Sequence, residues 1–291
     1  MQATQREDLH QRVTHQIIAA IEKGAGDFRM PWNPKLCAAS CGGLPHNPVG
    51  QYVYHGINIL ALWLSQQDNN YATPEWATFK QWQMAGAQVR TGEKGTLTVF
   101  FKADASRSQP GIEGEQARRH FIAKAAHVFN IAQVVGYEPP AQPTLTPIER
   151  HAAADEFIQS SAARIHHGSH QACYVPSRDE ILLPPEAAFR DPESYYSVAL
   201  HELVHWTGHA DRCARDLRNR FGSESYAAEE LVAELGSAFL CAGIGISPVP
   251  RIDHAQYIDS WLKILKNDKR AIFTAAAKAS QAVAYLSWLS E

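Results

Sequence analysis

The sequence lacks a long hydrophobic run, a signal-peptide core and a dense set of cysteines. Its longest unbroken stretch of apolar or small residues, 238–246, is far shorter than the roughly 18–20 residues of a membrane-spanning helix. Five cysteines leave one unpaired, which is typical of a protein from a reducing compartment. We therefore expect a cytoplasmic protein that does not interact with a membrane.

An excess of positive charge is also missing. The net charge of the 291 residues is -3, so the composition gives no global signature of nucleic-acid binding, and any such site has to be local. Residues 1–150 contain 14 Lys and Arg against 12 Asp and Glu, whereas residues 151–291 contain 13 against 18. Most of the positive character therefore lies in the first half.

Four prolines between positions 138 and 148 disfavour a regular helix or strand and predict a stiff connector. The sequence thus divides into domains at residues 1–137 and 149–291, each of which we expect to have its own core.

The hydrophobic spacing predicts an α+β fold whose second domain is mainly helical. In the first half it predicts helices at 6–21 and 57–64, a helix from the cap Thr73 to Gly86, a hairpin through residues 89–102, and a long hairpin loop at 103–117. In the second half it predicts a hairpin from 172–175 and 180–184, followed by helices from Asp191 onward.

The helix that Asp191 caps and Gly208 ends contains the pattern HExxH at residues 201–205. Because a helix turns about 100° per residue, His201 and His205 project from the same side. Two converging imidazoles next to a glutamate are typical of a catalytic zinc site, which needs three protein ligands and one open position. The expected cofactor is one divalent metal, Zn²⁺ by default, with Mn²⁺ or Co²⁺ as alternatives.

The third ligand has three candidates. Glu230 and Glu234 lie four residues apart on a later helix, and the pair resembles the gluzincin helix in which the first acid binds the metal and the second orients a ligand histidine. Glu229 is the main rival of Glu230. Asp211 occupies the third-ligand position of the metzincin pattern, but all three methionines precede the motif, so no Met-turn can follow it.

Glu202 is the predicted catalytic residue. In an HExxH site the glutamate takes a proton from a metal-activated water, which predicts amide hydrolysis. An oxyanion would need a further donor, for which Tyr226, His209, His254 and Tyr257 are candidates.

Several long blocks together resemble the ArdC family of plasmid-borne antirestriction proteins. The blocks are HELVHWTGHADR, FGSESYAAEELVAELGSAFL and DHAQYIDSWLKILKND in the second half, and NPVGQYVYHGINILALWL, YATPEWATFKQWQMAGAQVRTGEKGTLTVFFK and HVFNIAQVVGYE in the first. The resemblance implies an N-terminal domain that binds single-stranded DNA and a C-terminal zincin-like metallopeptidase domain. It also implies a role in protecting incoming plasmid DNA from host restriction during conjugation.

Single-strand binding needs basic side chains for phosphates and exposed aromatic rings for bases. The helical spacing places Trp63, Trp76 and Phe79 in the core. The predicted DNA contacts are Tyr54, Trp82, Arg90, Lys94, Arg118 and Arg119.

The sequence leaves two alternative functions open. One is a cytoplasmic metalloprotease whose first domain recognises a protein, such as a restriction enzyme, instead of DNA. The other is a single-stranded-DNA-binding protein whose metal only braces the fold.

Overall fold

The computed structural model describes residues 9–24, 43–103, 121–140, 145–217, 223–246 and 255–291 and confirms the α+β class. The elements of the first half are α1 (Leu9–Gly24), β1 (His46–Asn47), β2 (Tyr52–Val53), α2 (Ile57–Asp68), β3 (Trp76–Thr78), α3 (Phe79–Met84), β4 (Gln88–Val89), β5 (Thr96–Ala103), β6 (Phe121–Asn130) and β7 (Val134–Val135). The elements of the second half are α4 (Pro147–Ser160), β8 (Arg164–His167), β9 (Cys173–Val175), β10 (Glu180–Leu183), α5 (Pro192–Thr207), α6 (Glu224–Ile244), α7 (Ala255–Asn267) and α8 (Ala271–Ser290). Within these residues, no helix is long and apolar enough to cross a membrane.

The strands expected on either side of the loop predicted at 103–117 pair as a hairpin, because β5 and β6 are antiparallel from Thr96–Val128 to Ala103–Phe121. The loop itself, apart from Ala103, lies outside the described residues. The shorter hairpin predicted through residues 89–102 is wrong, because β4 pairs with β7 instead of β5. The Gln133 side chain explains the difference, since it donates to Glu93 Oε2 at 2.9 Å and ties the intervening turn to the segment before β7.

The helix predicted to begin after Thr73 starts five residues late. Residues Trp76–Thr78 instead form β3, which pairs with β6 and buries the Trp76 side chain completely. The helix cap is Thr78, which accepts a hydrogen bond from the Gln81 N–H and forms a capping box with the Gln81 side chain. Burial of Trp76 in the sheet therefore overrides the local signal of Thr73 and Pro74.

Helix α2 lies along the β5 edge of the sheet whose strand order is β3-β6-β5. The Asn58 side chain both accepts from the Val99 N–H and donates to the Val99 carbonyl, at 2.7 Å each. It thus occupies backbone groups of the edge strand that another chain could otherwise pair with.

The second half agrees with its predicted order. The β9–β10 hairpin is present, and β8 pairs with β10 in parallel, so β9 is an edge strand. Asp191 caps α5 by accepting from the Ser194 N–H at 2.8 Å, and Gly208 follows the last helical residue. Pro147, within the predicted connector, is already the first residue of α4.

The expectation of separate domain cores is wrong. Ile17 of α1 and Trp63 of α2 belong to the same buried apolar cluster as Leu200 of α5 and Phe239 of α6. The Trp63 and Phe239 rings lie 5.7 Å apart in an edge-on arrangement. A fragment that ended before the connector would expose these side chains to water, although the division at residues 138–148 itself stays a prediction.

Two glycines of α6 provide a matched test of the packing that positions the site. A β-carbon on Gly236 would lie 2.8 Å from a Val204 methyl group, whereas one on Gly243 would meet only Leu44, at 3.8 Å. We expect Gly236→Ala to lower the free energy of unfolding by about 1–3 kcal/mol through overpacking. Gly243→Ala should raise it by up to about 1 kcal/mol through helix propensity. Urea unfolding measures both, and equal effects would contradict the close α5–α6 contact.

Candidate functional site

His201 and His205 lie one turn apart on α5 and face Glu230 on α6. Their Nε2 atoms are 3.1 Å apart, and each lies 3.5 Å from a carboxylate oxygen of Glu230. Among the residues described, these three form the group of side chains whose ligand atoms lie within 4.8 Å of one another. His201 is almost completely buried, and Glu230 is buried as well.

These separations fit a divalent ion. With metal–ligand bonds of roughly 2.0–2.1 Å, two ligands of a tetrahedral site lie roughly 3.3 Å apart. The 3.1 Å and 3.5 Å distances bracket that value. Two imidazoles and one carboxylate are also the donor set of many catalytic zinc sites, which keep their fourth position open.

Carboxylates on α6 hold the outer nitrogens of both histidines. Glu234 Oε1 lies 3.0 Å from His201 Nδ1, and Glu229 Oε1 lies 3.2 Å from His205 Nδ1. A carboxylate at this distance favours a proton on Nδ1, so that Nε2 is the nitrogen left to bind a metal ion on the side that faces Glu230. Glu229, the rival ligand, therefore lies behind His205, on the side away from the cluster.

Arg215 fixes Glu229 in that position, and the sequence analysis missed it. Its buried guanidinium donates to both Glu229 oxygens at 2.9–3.2 Å, to Thr207 Oγ1 at 2.8 Å and to the Val204 carbonyl at 2.6 Å. No periodicity or motif distinguishes Arg215 from neighbouring arginines, because its role depends on how the loop after α5 returns to the helix.

The acid–base properties of the cluster follow from these contacts. Burial would lower the pKa of His205, but Glu229 and Glu230 outweigh it and raise that pKa to about 10. Burial would likewise raise the pKa of Glu230, but hydrogen bonds with His201 and His205 hold it well below its usual range. In the metal-free protein the cluster thus retains a proton that a metal ion has to displace.

Glu202 lies beside the cluster and faces the edge strand. It is buried, and its Oε2 accepts a hydrogen bond from the Tyr174 N–H of β9 at 2.9 Å. Glu202, both histidines and Glu230 line one cavity of about 270 Å³. The carboxylate can therefore act on a molecule held at the cluster.

The lining of the cavity distinguishes among the candidate oxyanion donors. Tyr226 and Tyr257 line it, whereas His209 is absent from its lining and His254 lies outside the described residues. Burial, followed by the charge of Glu230, raises the pKa of Tyr226 above its usual range. Tyr226 therefore stays protonated at neutral pH and can donate a hydrogen bond into the cavity.

Asp211 does not reach the cluster. Its side chain is 87% exposed, and its carboxylate lies 3.5 Å from His209 Nδ1. The chain turns away after Gly208, so the metzincin position of Asp211 is not directed toward His201 and His205.

Comparison with known proteins identifies the family. Residues 7–129 match the family model described as the N-terminal domain of anti-restriction factor ArdC, and residues 152–278 match that of a zincin-like metallopeptidase. The metal-free crystal structure of the antirestriction ArdC protein from plasmid R388 superposes with a TM-score of 0.79 at 33% identity, covering 97% of this chain and 98% of that one. The chain belongs to the ArdC family.

Other relatives agree with this assignment. The Mn(II)-bound structure of the same R388 ArdC protein matches with a TM-score of 0.77 at 34% identity over 97% of this chain and 98% of that one. The protein y4eC of Sinorhizobium fredii (strain NBRC 101917 / NGR234), itself uncharacterized, is 49% identical over 94% of this chain and 90% of its own length. A DNA primase TraC of Escherichia coli is 37% identical over 95% of this chain, which spans only 27% of the primase. The Mn(II)-bound ArdC structure and the zincin-like domain support a site for one divalent metal.

Two of the predicted DNA-stacking residues are buried. Trp82 is 0% exposed, and its Nε1 donates to the Phe129 carbonyl at 3.0 Å. Tyr54 is also buried, and its hydroxyl donates to the Trp76 carbonyl at 3.1 Å. The prediction that these rings lie on the surface is wrong, because the sheet formed by β3 and β6 packs against both of them.

The other predicted contacts differ in their surroundings. Arg90 is in an ion pair with Glu93 at 2.6 Å, so part of its charge is compensated, and Lys94 is exposed. Arg118 and Arg119 lie outside the described residues. Trp63 and Trp76 are buried as predicted, but Phe79, predicted to be in the core, is exposed. DNA contacts by Arg90, Lys94, Arg118 and Arg119 remain predictions.

Metal analysis of variants tests the ligand set. His201→Ala and Glu230→Ala should each lose bound metal, because each removes one of three ligands. Asp211→Ala should keep a full equivalent of metal. Glu229→Ala should bind metal about 10–100-fold more weakly, as expected for a group that only orients a ligand. Elemental analysis after dialysis against Mn²⁺ or Zn²⁺ measures each, and full metal in Glu230→Ala with none in Glu229→Ala would contradict the assignment.

Proposed function

We propose that this ArdC-family chain is an antirestriction protein that binds single-stranded DNA and hydrolyses peptide bonds at a divalent metal site. In this proposal the two activities together protect incoming plasmid DNA from host restriction during conjugation. The observation that carries the hydrolytic part is the cluster of His201, His205 and Glu230 in one cavity with Glu202.

The chain's own residues would hold the metal, take up a proton and donate a hydrogen bond to the substrate. A bound metal would contribute Lewis-acid activation of water and of a carbonyl group. Glu202 is the general base, because it is the carboxylate of the cavity that neither completes the three-residue cluster nor braces a histidine. Tyr226 is the donor for the carbonyl oxygen, since it is protonated and lines the same cavity.

A peptide fits the geometry better than a compact small molecule does. Strand β9 is an edge strand beside the cavity, and Cys173 and Tyr174 of β9 line it. An extended peptide could pair with such an edge and bring a carbonyl to the metal. Zn²⁺ is our proposed native metal on chemical grounds, and the Mn(II)-bound relative makes Mn²⁺ the main alternative.

Single-strand binding is proposed for a surface to which the first half contributes. The family relationship supports it, as does the charge difference between the two halves. We place the protein in the cytoplasm, where it would meet both the transferred DNA and the restriction enzymes of the host.

Glu202→Gln tests the hydrolytic part. The variant should keep the metal and the fold but cleave fluorescently labelled casein about 10²–10⁴-fold more slowly than the unchanged metal-loaded chain, because it loses the general base. Glu186→Gln, a change at an exposed glutamate outside the cavity, is the control and should cleave at the unchanged rate. Equal rates for both variants would contradict the role of Glu202. A metal-loaded chain without any cleavage would favour a purely structural metal.

The same variants test antirestriction in a mating assay. The unchanged chain should raise plasmid transfer into a restricting recipient and leave transfer into a non-restricting recipient unaltered. If Glu202→Gln protects equally well, DNA binding suffices for protection; if it fails to protect, hydrolysis is required. No increase with the unchanged chain would contradict the antirestriction role.

A further inference from the structure

A second and larger cavity lies between the two halves of the chain. It is a groove of about 1360 Å³. Its lining residues come from the β2–α2 connection, from the sheet of β5 and β6, from α1 and from α8, and they include Tyr52, His55, Phe100, Ala126, Arg270 and Thr274. This volume exceeds the roughly 300–1,000 Å³ of small-molecule sites, so the groove is large enough for an extended polymer.

Two exposed aromatic rings line this groove. Tyr52 is 45% exposed and Phe100 is 47% exposed, although rings of this size are usually mostly buried. Phe100 stands on the sheet face that it shares with its cross-strand partner Lys124, which is exposed. Exposed rings beside a cation are what a stacking surface for nucleotide bases requires.

Neighbouring residues fix the position of the Tyr52 ring. Its hydroxyl accepts from the buried Asn47 side chain at 3.1 Å, and the Tyr54 ring contacts it edge-on at 5.4 Å. A β-carbon on Gly50 would lie 2.5 Å from the Tyr52 ring, so the backbone at Gly50 lies directly against the ring. Tyr52 is therefore a fixed platform, and its side chain loses little conformational entropy when a base stacks on it.

The charge of the groove suits an anionic polymer. Its lining, all of it in the described part of the chain, contains Arg270, His10 and His55 and no Asp or Glu. Asp268 is not among the lining residues, but its Oδ1 accepts a hydrogen bond from the Arg270 backbone N–H at 2.8 Å. A groove without acidic lining is notable in a chain of net charge -3.

Residues of both halves line the groove. One face of α8 contributes residues that recur at helical spacing, namely Arg270, Phe273, Thr274, Ala277 and Ser280. Ser280 Oγ accepts from the Gly56 N–H at 2.8 Å and so joins α8 to the start of α2. The groove therefore depends on the second half as well as on the first.

We propose that this groove is the binding site for single-stranded DNA. Bases stack on Tyr52 and Phe100, and the phosphates lie near Arg270 and Lys124. This inference rests on the single-strand binding proposed above, and it replaces the buried Tyr54 and Trp82 as stacking residues. Duplex DNA should bind more weakly, because its bases are not free to stack.

Matched aromatic variants test the stacking residues in the full-length chain. Phe100→Ala and Tyr52→Ala should each weaken binding of a labelled oligo(dT), measured by fluorescence anisotropy, by roughly 5- to 150-fold. Phe79→Ala is the control, because Phe79 is 44% exposed but lies outside the groove, and its affinity should not change. Phe100→Trp should retain binding, which separates loss of the platform from loss of the fold. Gly50→Ala should weaken binding by displacing the Tyr52 ring.

Salt dependence tests the contribution of α8. Arg270→Gln should reduce the slope of log affinity against log salt by about 0.7, the value for one phosphate contact on a single strand. Arg190→Gln removes an exposed arginine outside the groove and should leave the slope unaltered. If the first half alone forms the binding site, Arg270→Gln should leave the salt slope unaltered, and that result would contradict the contribution of α8.

The outcomes separate this inference from the proposed function. If the unchanged chain binds oligo(dT) and the variants of Tyr52, Phe100 and Arg270 bind equally well, DNA binding stands but the groove is not its site. If the unchanged chain does not bind oligo(dT) at low salt, both proposals are wrong, and the groove becomes a candidate surface for a protein.

Discussion

Helix α6 lies so close to α5 that Gly236 leaves no room for a β-carbon beside Val204. This contact fixes the distance between the two helices, and the candidate metal site depends on that distance. It allows Glu230 to reach both imidazoles while Glu234 and Glu229 reach their outer nitrogens. Ser237 strengthens the contact, since its hydroxyl donates to the Ser197 carbonyl at 3.0 Å. A glycine and a serine on one helix thus place three carboxylates around two histidines.

The same helices connect the two halves of the chain. Trp63 of α2 packs on Phe239 of α6, and the Gly56 N–H at the start of α2 donates a hydrogen bond to Ser280 Oγ of α8. The proposed DNA groove and the metal cavity are therefore built on one continuous apolar core. A ligand in the groove would contact α8, which packs against both helices of the metal site. The two sites are thus linked by packing, although they share no lining residue.

Local spacing was enough to predict some of these features. The caps of α5 and the positions of His201 and His205 follow from helical periodicity and from Asp191, Pro192 and Gly208. The choice between Glu229 and Glu230 does not follow from local spacing. Adjacent helical residues point in directions about 100° apart, and only the packing of α6 on α5 shows which of the two glutamates faces the histidines. Arg215 carries no sequence signal. Trp82 belongs to a helix of six residues, which is too short for its periodicity to distinguish a buried ring from an exposed one.

The central claim is that two imidazoles and one carboxylate bind a single divalent ion, with Cys173 in the same cavity left out. Cys173 lines the cavity, but its thiol is not in the group of described residues whose ligand atoms lie within 4.8 Å of one another, and burial raises the pKa of that thiol. X-ray absorption spectroscopy of the Zn²⁺-loaded chain tests this claim most directly. We predict scattering from two imidazoles, with nitrogen and oxygen ligands at about 2.0–2.2 Å. A sulfur ligand at about 2.3 Å, or fewer than two imidazoles, would contradict it.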